Sequence, residues 1–479
     1  MHIADITIFI VYMLLMLGVG YYFMRKNKND EDYYLGGRNM TKYHVGLSVV
    51  ATDVGGGFSI GLGGLGFMMG ISGSWMLFTG LVGAWLSAVI LVPKVARLGR
   101  LHQFFTLPQL FNFLYNKKVA LAAGIISLIG YLGFTSSQIL AGAKLASATF
   151  EALSFSTALI LMGFIAVVYT VLGGLKAVIY TDTIQWAFLM IGLIFIGLPL
   201  AYFHVGGYDE IVSVLPKEYF SLTNVSFQTL INWGVTIVPI WFVGMTLYQR
   251  IYASKSPEEA KKAWFIAGLL EWPIMAFLGV LLGLFAKVAH LQGLLPNLAV
   301  NGIIDPEMGL PVLLRTILPA GLMGIMMASY FSAILSTADS CLMAASGNLT
   351  TDILGKSVQK FKVDSIRVSQ VATLFLGVLA LSIAFFATNV LSLMLYSYAF
   401  MVSGLLVPLI GGLFFKINHP KAAIMAMVFG GVTTVLLSLL KSPLPFGLDA
   451  NVFGITTSAM VYIAISYKII LQKIQFKYL

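Results

Sequence analysis

The sequence predicts an all-α polytopic membrane protein of about thirteen transmembrane helices, arranged as a 5+5 inverted repeat with broken helices. Three observations carry that prediction. The 479 residues are 59% hydrophobic and only 10% charged, whereas a soluble domain carries about 25% charged residues. Such a composition cannot cover a water-facing surface. Apolar runs of roughly 20 residues, long enough to span a bilayer, recur along the whole chain. Glycine interrupts two of those runs five helices apart, the offset expected of two five-helix repeats.

The runs lie near 5–24, 43–70, 72–93, 119–148, 155–173, 182–203, 227–248, 262–287, 316–346, 367–387, 390–415, 422–440 and 451–470. The first reads as an uncleaved helix, because Arg25, Lys26 and Lys28 follow it and no small-residue cleavage site closes it. With the N-terminus outside and the C-terminus cytoplasmic, 24 of the 29 Lys and Arg fall on the cytoplasmic side, among them Lys176 and the group at 250–262. The exceptions are Lys144, Lys217, Lys287, Arg315 and Lys441. This is the asymmetry that the positive-inside rule expects, and the expected location is the plasma membrane.

No soluble domain interrupts the helices, so 1–479 reads as one transmembrane domain. Its parts are a first helix and cytoplasmic loop (1–42), a first repeat (43–203), a second repeat (227–415) and C-terminal helices (416–479). The stretch Ser254-Lys255-Ser256-Pro257-Glu258-Glu259 looks like a capped amphipathic helix start.

Several function classes drop out. The net charge of +10 reflects topology: clustered basic loops attract anionic membrane lipid, and no basic-aromatic nucleic-acid pattern appears. The single cysteine, Cys341, excludes an internal disulfide. CxxC, HExxH and phosphate-loop patterns are absent. No nucleophile–base set emerges, so an enzyme is not expected.

The polar residues inside the apolar runs are the candidates for function. Gly55-Gly56-Gly57 follow Asp53 in the second run. Each glycine weakens a helix interior by about 1 kcal/mol relative to alanine. Close helix packing is one explanation, and a broken helix with free carbonyls is the sharper one. The seventh run is likewise interrupted, around Gly234, Pro239 and Gly244. In the ninth, Ala333, Ser336 and Thr337 stand at i, i+3 and i+4 and share a helix face. Hydroxyls and a carbonyl suit a hard cation, although Ser and Thr in membrane helices also bond back to their own carbonyls. Four acids, Asp53, Asp182, Glu271 and Asp339, lie in or beside apolar runs, where each needs a partner. A solute would lie beside the broken helices, making Gly55, Gly56, Gly57, Tyr131, Gln138 and Trp241 candidate contacts.

Several motifs together carry a family resemblance. The polar hinge Gly173-Gly174-Leu175-Lys176-Ala177-Val178-Ile179-Tyr180-Thr181-Asp182-Thr183-Ile184-Gln185 resembles the signature of sodium:solute symporters. Asp32-Tyr33-Tyr34-Leu35-Gly36-Gly37-Arg38 looks like that family's first cytoplasmic loop, and Ala51-Thr52-Asp53-Val54-Gly55-Gly56-Gly57 like its broken first core helix. Gln249-Arg250 resembles the loop after its seventh helix, and Ser336-Thr337-Ala338-Asp339-Ser340 its ninth.

The resemblance implies a LeuT-like fold and a sodium ion as coupling ion. Its ligands would be the main-chain oxygens of Ala51, Val54 and Ala333 and the hydroxyls of Ser336 and Thr337. Asp182 would lie on the inward sodium path. Asp53 matches an acid important for coupling in proline transporters of the family. Choline transporters share the neighbouring glycines but carry a bulky aromatic at that aspartate. The expected function is sodium-coupled uptake of a small polar organic solute by alternating access. A proton-coupled symporter of the same fold and a solute-binding membrane sensor are the alternatives. The sequence names neither the solute nor the oligomeric state.

Overall fold

In lipid a chain must satisfy its own amides, and for isolated apolar runs the α-helix is the means. The computed structural model describes residues 2–26, 35–150, 153–295, 298–300, 303–355, 365–440 and 443–477. In chain order they form α1 (Ile3–Lys26), α2 (Lys42–Val54), α3 (Gly56–Met69), α4 (Trp75–Ile90), α5 (Val92–His102), α6 (Leu107–Leu114), α7 (Lys117–Thr149) and α8 (Phe155–Gly192). There follow α9 (Leu198–His204), α10 (Gly207–Val214), α11 (Phe227–Val243), α12 (Met245–Ala253), α13 (Pro257–Leu269), α14 (Ala276–Leu291) and α15 (Gly309–Ile317). The last are α16 (Leu322–Gly347), α17 (Ser365–Phe386), α18 (Val390–Leu413), α19 (Pro420–Ser438) and α20 (Ala450–Lys477). Among the described residues the only β-structure is a two-residue hairpin ahead of α15, β1 (Ala299–Val300) paired with β2 (Ile303–Ile304). The motif residues Asp32, Tyr33 and Tyr34, the side chains of Val54 and Tyr180 and those of 172–177 lie outside the described ones.

Nine of the described helices are long and apolar enough to cross a membrane, ten if α11 and α12 count as one bent span. Ile3–Met16 and Phe155–Val171 are shorter apolar helices. Length and apolarity alone therefore do not reproduce the thirteen crossings expected from the sequence. One reason is that 60–90 runs on through the 3₁₀ turn Gly70–Ser74. Gly70 has φ +66°, and a Cβ there would lie 2.1 Å from Tyr219 O, so a glycine turns the chain between α3 and α4. A second reason lies in α8. Tyr169 Oη is 3.4 Å from Thr181 Oγ1, yet twelve residues of straight helix would separate their backbones by about 18 Å. The chain therefore bends back between Tyr169 and Thr181, where the two runs read from the sequence meet.

Two helices are broken where the glycines predict it. α2 ends and α3 begins on either side of Gly55 (φ −16°, ψ −166°). α11 and α12 meet at Gly244 with a bend of 41°. Pro239 sits within α11 without ending it. Around these breaks α16 belongs to the most enclosed of the long apolar spans and packs against α1, α2, α7 and α8.

The basic face is tied together by backbone. Met40 N donates to Ala253 O at 3.0 Å and Lys255 N to Met40 O at 2.8 Å. Lys42 N donates to Glu259 Oε2 at 2.8 Å. Ser256 Oγ accepts from Glu259 N at 3.1 Å, which makes it the N-cap of α13.

Candidate functional site

The break at Gly55 frees carbonyls in the middle of the bundle. The last four carbonyls of a helix have no intrahelical donor, and in α2 these belong to Ala51, Thr52, Asp53 and Val54. In a continuous helix Gly56 N would serve Thr52 O; instead it donates to Gln138 Oε1 of α7 at 2.7 Å. The three glycines are also tightly packed. A Cβ would lie 2.3 Å from Thr337 Oγ1 at Gly55, 2.2 Å from Ala141 Cβ at Gly56 and 2.5 Å from Met394 Sδ at Gly57. Packing and breakage, set out as rival explanations for these glycines, hold together. Gly56→Ala should therefore cost about 1–3 kcal/mol by overpacking, read as a lowered melting temperature of the purified protein. An unchanged melting temperature would mean that α3 and α7 separate freely.

Thr337 faces the break from α16. Its hydroxyl lies 3.1 Å from Ala51 O and 3.2 Å from Ala333 O. A hydroxyl has one proton and satisfies one carbonyl fully, so acceptor capacity is left over. Ser336 Oγ, one residue earlier, is buried and faces the Asp182 carboxylate. Thus Ala51, Ala333 and Thr337 are brought to one point, Ser336 lies beside it, and Val54 is the last residue of α2 at the break. The donor set is neutral oxygen throughout, which fits a hard cation held by unwound carbonyls.

Towards the basic face lies a fully enclosed charge cluster. Ser48, three residues before Ala51, donates to Asp182 Oδ2 at 2.6 Å. Arg250 of α12 reaches Asp182 Oδ2 at 3.4 Å, and both side chains are 0% exposed. The same guanidinium donates to Ser48 Oγ (3.0 Å), Thr246 O (3.2 Å), Thr52 Oγ1 (2.5 Å) and Ser340 Oγ (2.9 Å). It thereby joins both broken helices to α8 and α16.

On the other side of Thr52 is a cavity lined by Asp53, Tyr131, Phe134, Thr246, Arg250 and Tyr398. It is closed down to the space of about one water. Tyr131 Oη accepts from Thr246 N at 3.1 Å, and Tyr398 Oη donates to Asp53 Oδ1 at 3.3 Å.

Residues 33–430 match the sodium:solute symporter family. The chain belongs to that family. Among curated relatives of this symporter, the sodium/proline symporter of Salmonella typhimurium is 27% identical, over 89% of this chain and 86% of that one. The sodium/glucose cotransporter of Vibrio parahaemolyticus is also 27% identical, over 92% and 86%. A solved Na⁺-coupled sialic acid symporter, substrate-bound and outward-open, has a TM-score of 0.79 over 97% of this chain and 98% of that one. At 19% identity that likeness is one of fold.

Not every solute candidate reaches the symporter's cavity. Tyr131 lines it, and Gln138 is buried at the break. Trp241 is 1% exposed and packs edge-on to Trp264 with ring centroids 6.4 Å apart. A Cβ on Gly83 would meet it at 2.4 Å, so it is wedged between helices away from the cavity lining. Asp339, one of the four acids that need a partner, links α16 to α8: Thr170 Oγ1 donates to its Oδ1 at 2.5 Å. Sequence reasoning assigned no role to Tyr398, and it counted Arg250 among the loop cations, whereas Arg250 is an interior residue. The motif Gln249-Arg250 at the end of an apolar run was the available signal.

Proposed function

We propose that this chain carries a small polar organic solute into the cell together with sodium, by alternating access. The observation that carries this reading is the Thr337 hydroxyl held between the Ala51 and Ala333 carbonyls, with Ser336 Oγ buried beside it. Ala51 O, Val54 O, Ala333 O, Ser336 Oγ and Thr337 Oγ1 form the sodium ligand set. Asp182 stands between this set and the basic face, on the ion's inward route, and Asp53 couples ion to solute. The solute site is the cavity beside Tyr131, with Gly55, Gly56, Gly57 and Gln138 shaping the break. The relatives' names, proline and glucose, support a small polar solute. The basic face is cytoplasmic, the N-terminus is outside, and the repeats 43–203 and 227–415 move against one another in the plasma membrane.

Sodium drives the cycle only by binding the outward-open, solute-competent form better than the alternative. The membrane potential adds about 2.3 kcal/mol per charge per 100 mV. Sodium titrated at constant ionic strength should raise the melting temperature of purified protein, a stabilisation of about 2.7 kcal/mol at a hundredfold excess over Kd. Thr337→Ala removes one ligand oxygen and should raise the half-saturating sodium concentration about tenfold, since 1.4 kcal/mol is a factor of ten. Unchanged sodium dependence in Thr337→Ala would sink the ligand set.

A further inference from the structure

The break between α2 and α3 is gripped from two sides. Thr337 of α16 holds the last turn of α2 through Ala51 O at 3.1 Å. Gln138 of α7 holds the first residue of α3 through Gly56 N at 2.7 Å. Gly55 lies between the two grips: a Cβ there would be 2.3 Å from Thr337 Oγ1 and 2.6 Å from Gln138 Oε1. A gap of about one methyl group therefore separates the amide oxygen from the hydroxyl assigned to sodium.

The Gln138 amide has a fixed orientation. Gly56 N is a donor, so the atom that receives it is the amide oxygen. The amide nitrogen donates to Ser137 Oγ at 3.2 Å, and that hydroxyl donates to Phe134 O at 2.7 Å. The side chain is 1% exposed. Tyr131, about two turns earlier on α7, lines the cavity with Asp53 and Tyr398, but Gln138 is not part of that lining.

A backbone amide sealed from water needs an acceptor. Without Gln138, Gly56 N either stays unpaired, which is costly, or returns to the Thr52 carbonyl and re-forms the helix across the break. Both outcomes lower the share of molecules in which the break is open. A ligand that binds only that share loses apparent affinity in the same proportion.

We propose that Gln138 is a positioning residue for sodium, whose amide oxygen replaces the helix carbonyl for Gly56 N and so keeps the Ala51 end of the break available to the ion. The inference rests on the sodium ligand set proposed above and adds to it a residue that touches neither ion nor solute.

The test is a thermal-stability titration of the full chain in detergent with sodium chloride, balanced by N-methylglucamine chloride. It compares wild type, Thr337→Ala, Gln138→Leu and Gln138→Glu. Leucine keeps the bulk and removes the acceptor, whereas glutamate keeps a carboxyl oxygen in its place. Gln138→Leu should raise the half-saturating sodium concentration about tenfold, and Gln138→Glu should recover most of that loss. A merely structural residue would lower the melting temperature in the absence of sodium and leave the half-saturation point where it was. A point unmoved in Gln138→Leu but moved in Thr337→Ala overturns the proposal, and so does a rise that Gln138→Glu fails to reverse. If neither Gln138→Leu nor Thr337→Ala moves it, the sodium ligand set itself has failed and this inference falls with it. Should Gln138→Leu aggregate, Gln138→Asn, whose amide is one methylene short of Gly56 N, is read by the same criteria.

Discussion

Arg250→Met is expected to abolish uptake and to cost about 3–5 kcal/mol of stability, the range for removing one partner of a buried ion pair. The side chain is 0% exposed and is bonded to residues on α2, α8, α12 and α16. Methionine fills most of the volume but leaves Asp182 without its cation, held by the Ser48 hydroxyl. The double variant Arg250→Met/Asp182→Leu should be more stable than Arg250→Met alone, since replacing a buried pair by apolar groups is often neutral or stabilising. Melting temperatures of the two singles and the double would form the thermodynamic cycle. Additive losses would mean that the residues act independently. Uptake should stay lost in the double variant, because the ties to Thr52 and Ser340 are gone too.

Glu307→Ala should produce the second large effect. Glu307 is 2% exposed; it receives Lys144 Nζ at 2.6 Å and the amides of Val390 and Leu391 at 3.0 Å each. It therefore closes an ion pair to α7 and caps the N-terminus of α18. Truncation leaves Lys144 with Asp305 and strips two amides of their acceptor, for an expected loss of about 3–5 kcal/mol. Asp305→Ala should cost less, because the Asp305 side chain is 17% exposed and makes no contact with α18 amides. Equal melting temperatures for the two variants would show that the cap contributes nothing. Sodium-driven uptake should also fall in Glu307→Ala, since α18 carries Tyr398 onto Asp53 and Met394 onto Gly57.

Much of the architecture was legible because bilayer physics writes it in composition. Apolar runs, basic loops and glycine interruptions located the helices and both breaks. Thr337 was legible because helical spacing puts it on one face with Ala333 and Ser336. Other contacts left no local trace. Lys144 and Glu307 are far apart in sequence, and Tyr398 reads like any other aromatic in an apolar run. Arg250 sits where an apolar helix meets a basic loop, and a tally of charge places it in the loop. Trp241 was chosen for lying in a broken helix, but its neighbours Gly83 and Trp264 draw it into a helix interface.

The bridge between Met40 and Ser254 couples the two interrupted helices mechanically. The entrance to α2 and the exit from α12 share two backbone hydrogen bonds, with Glu259 holding the first amide of α2. These ends form a yoke, so neither half-helix tilts on the basic side without carrying the other. Opening towards that side is then a single hinged movement of the pair, with Gly55 and Gly244 as its two pivots.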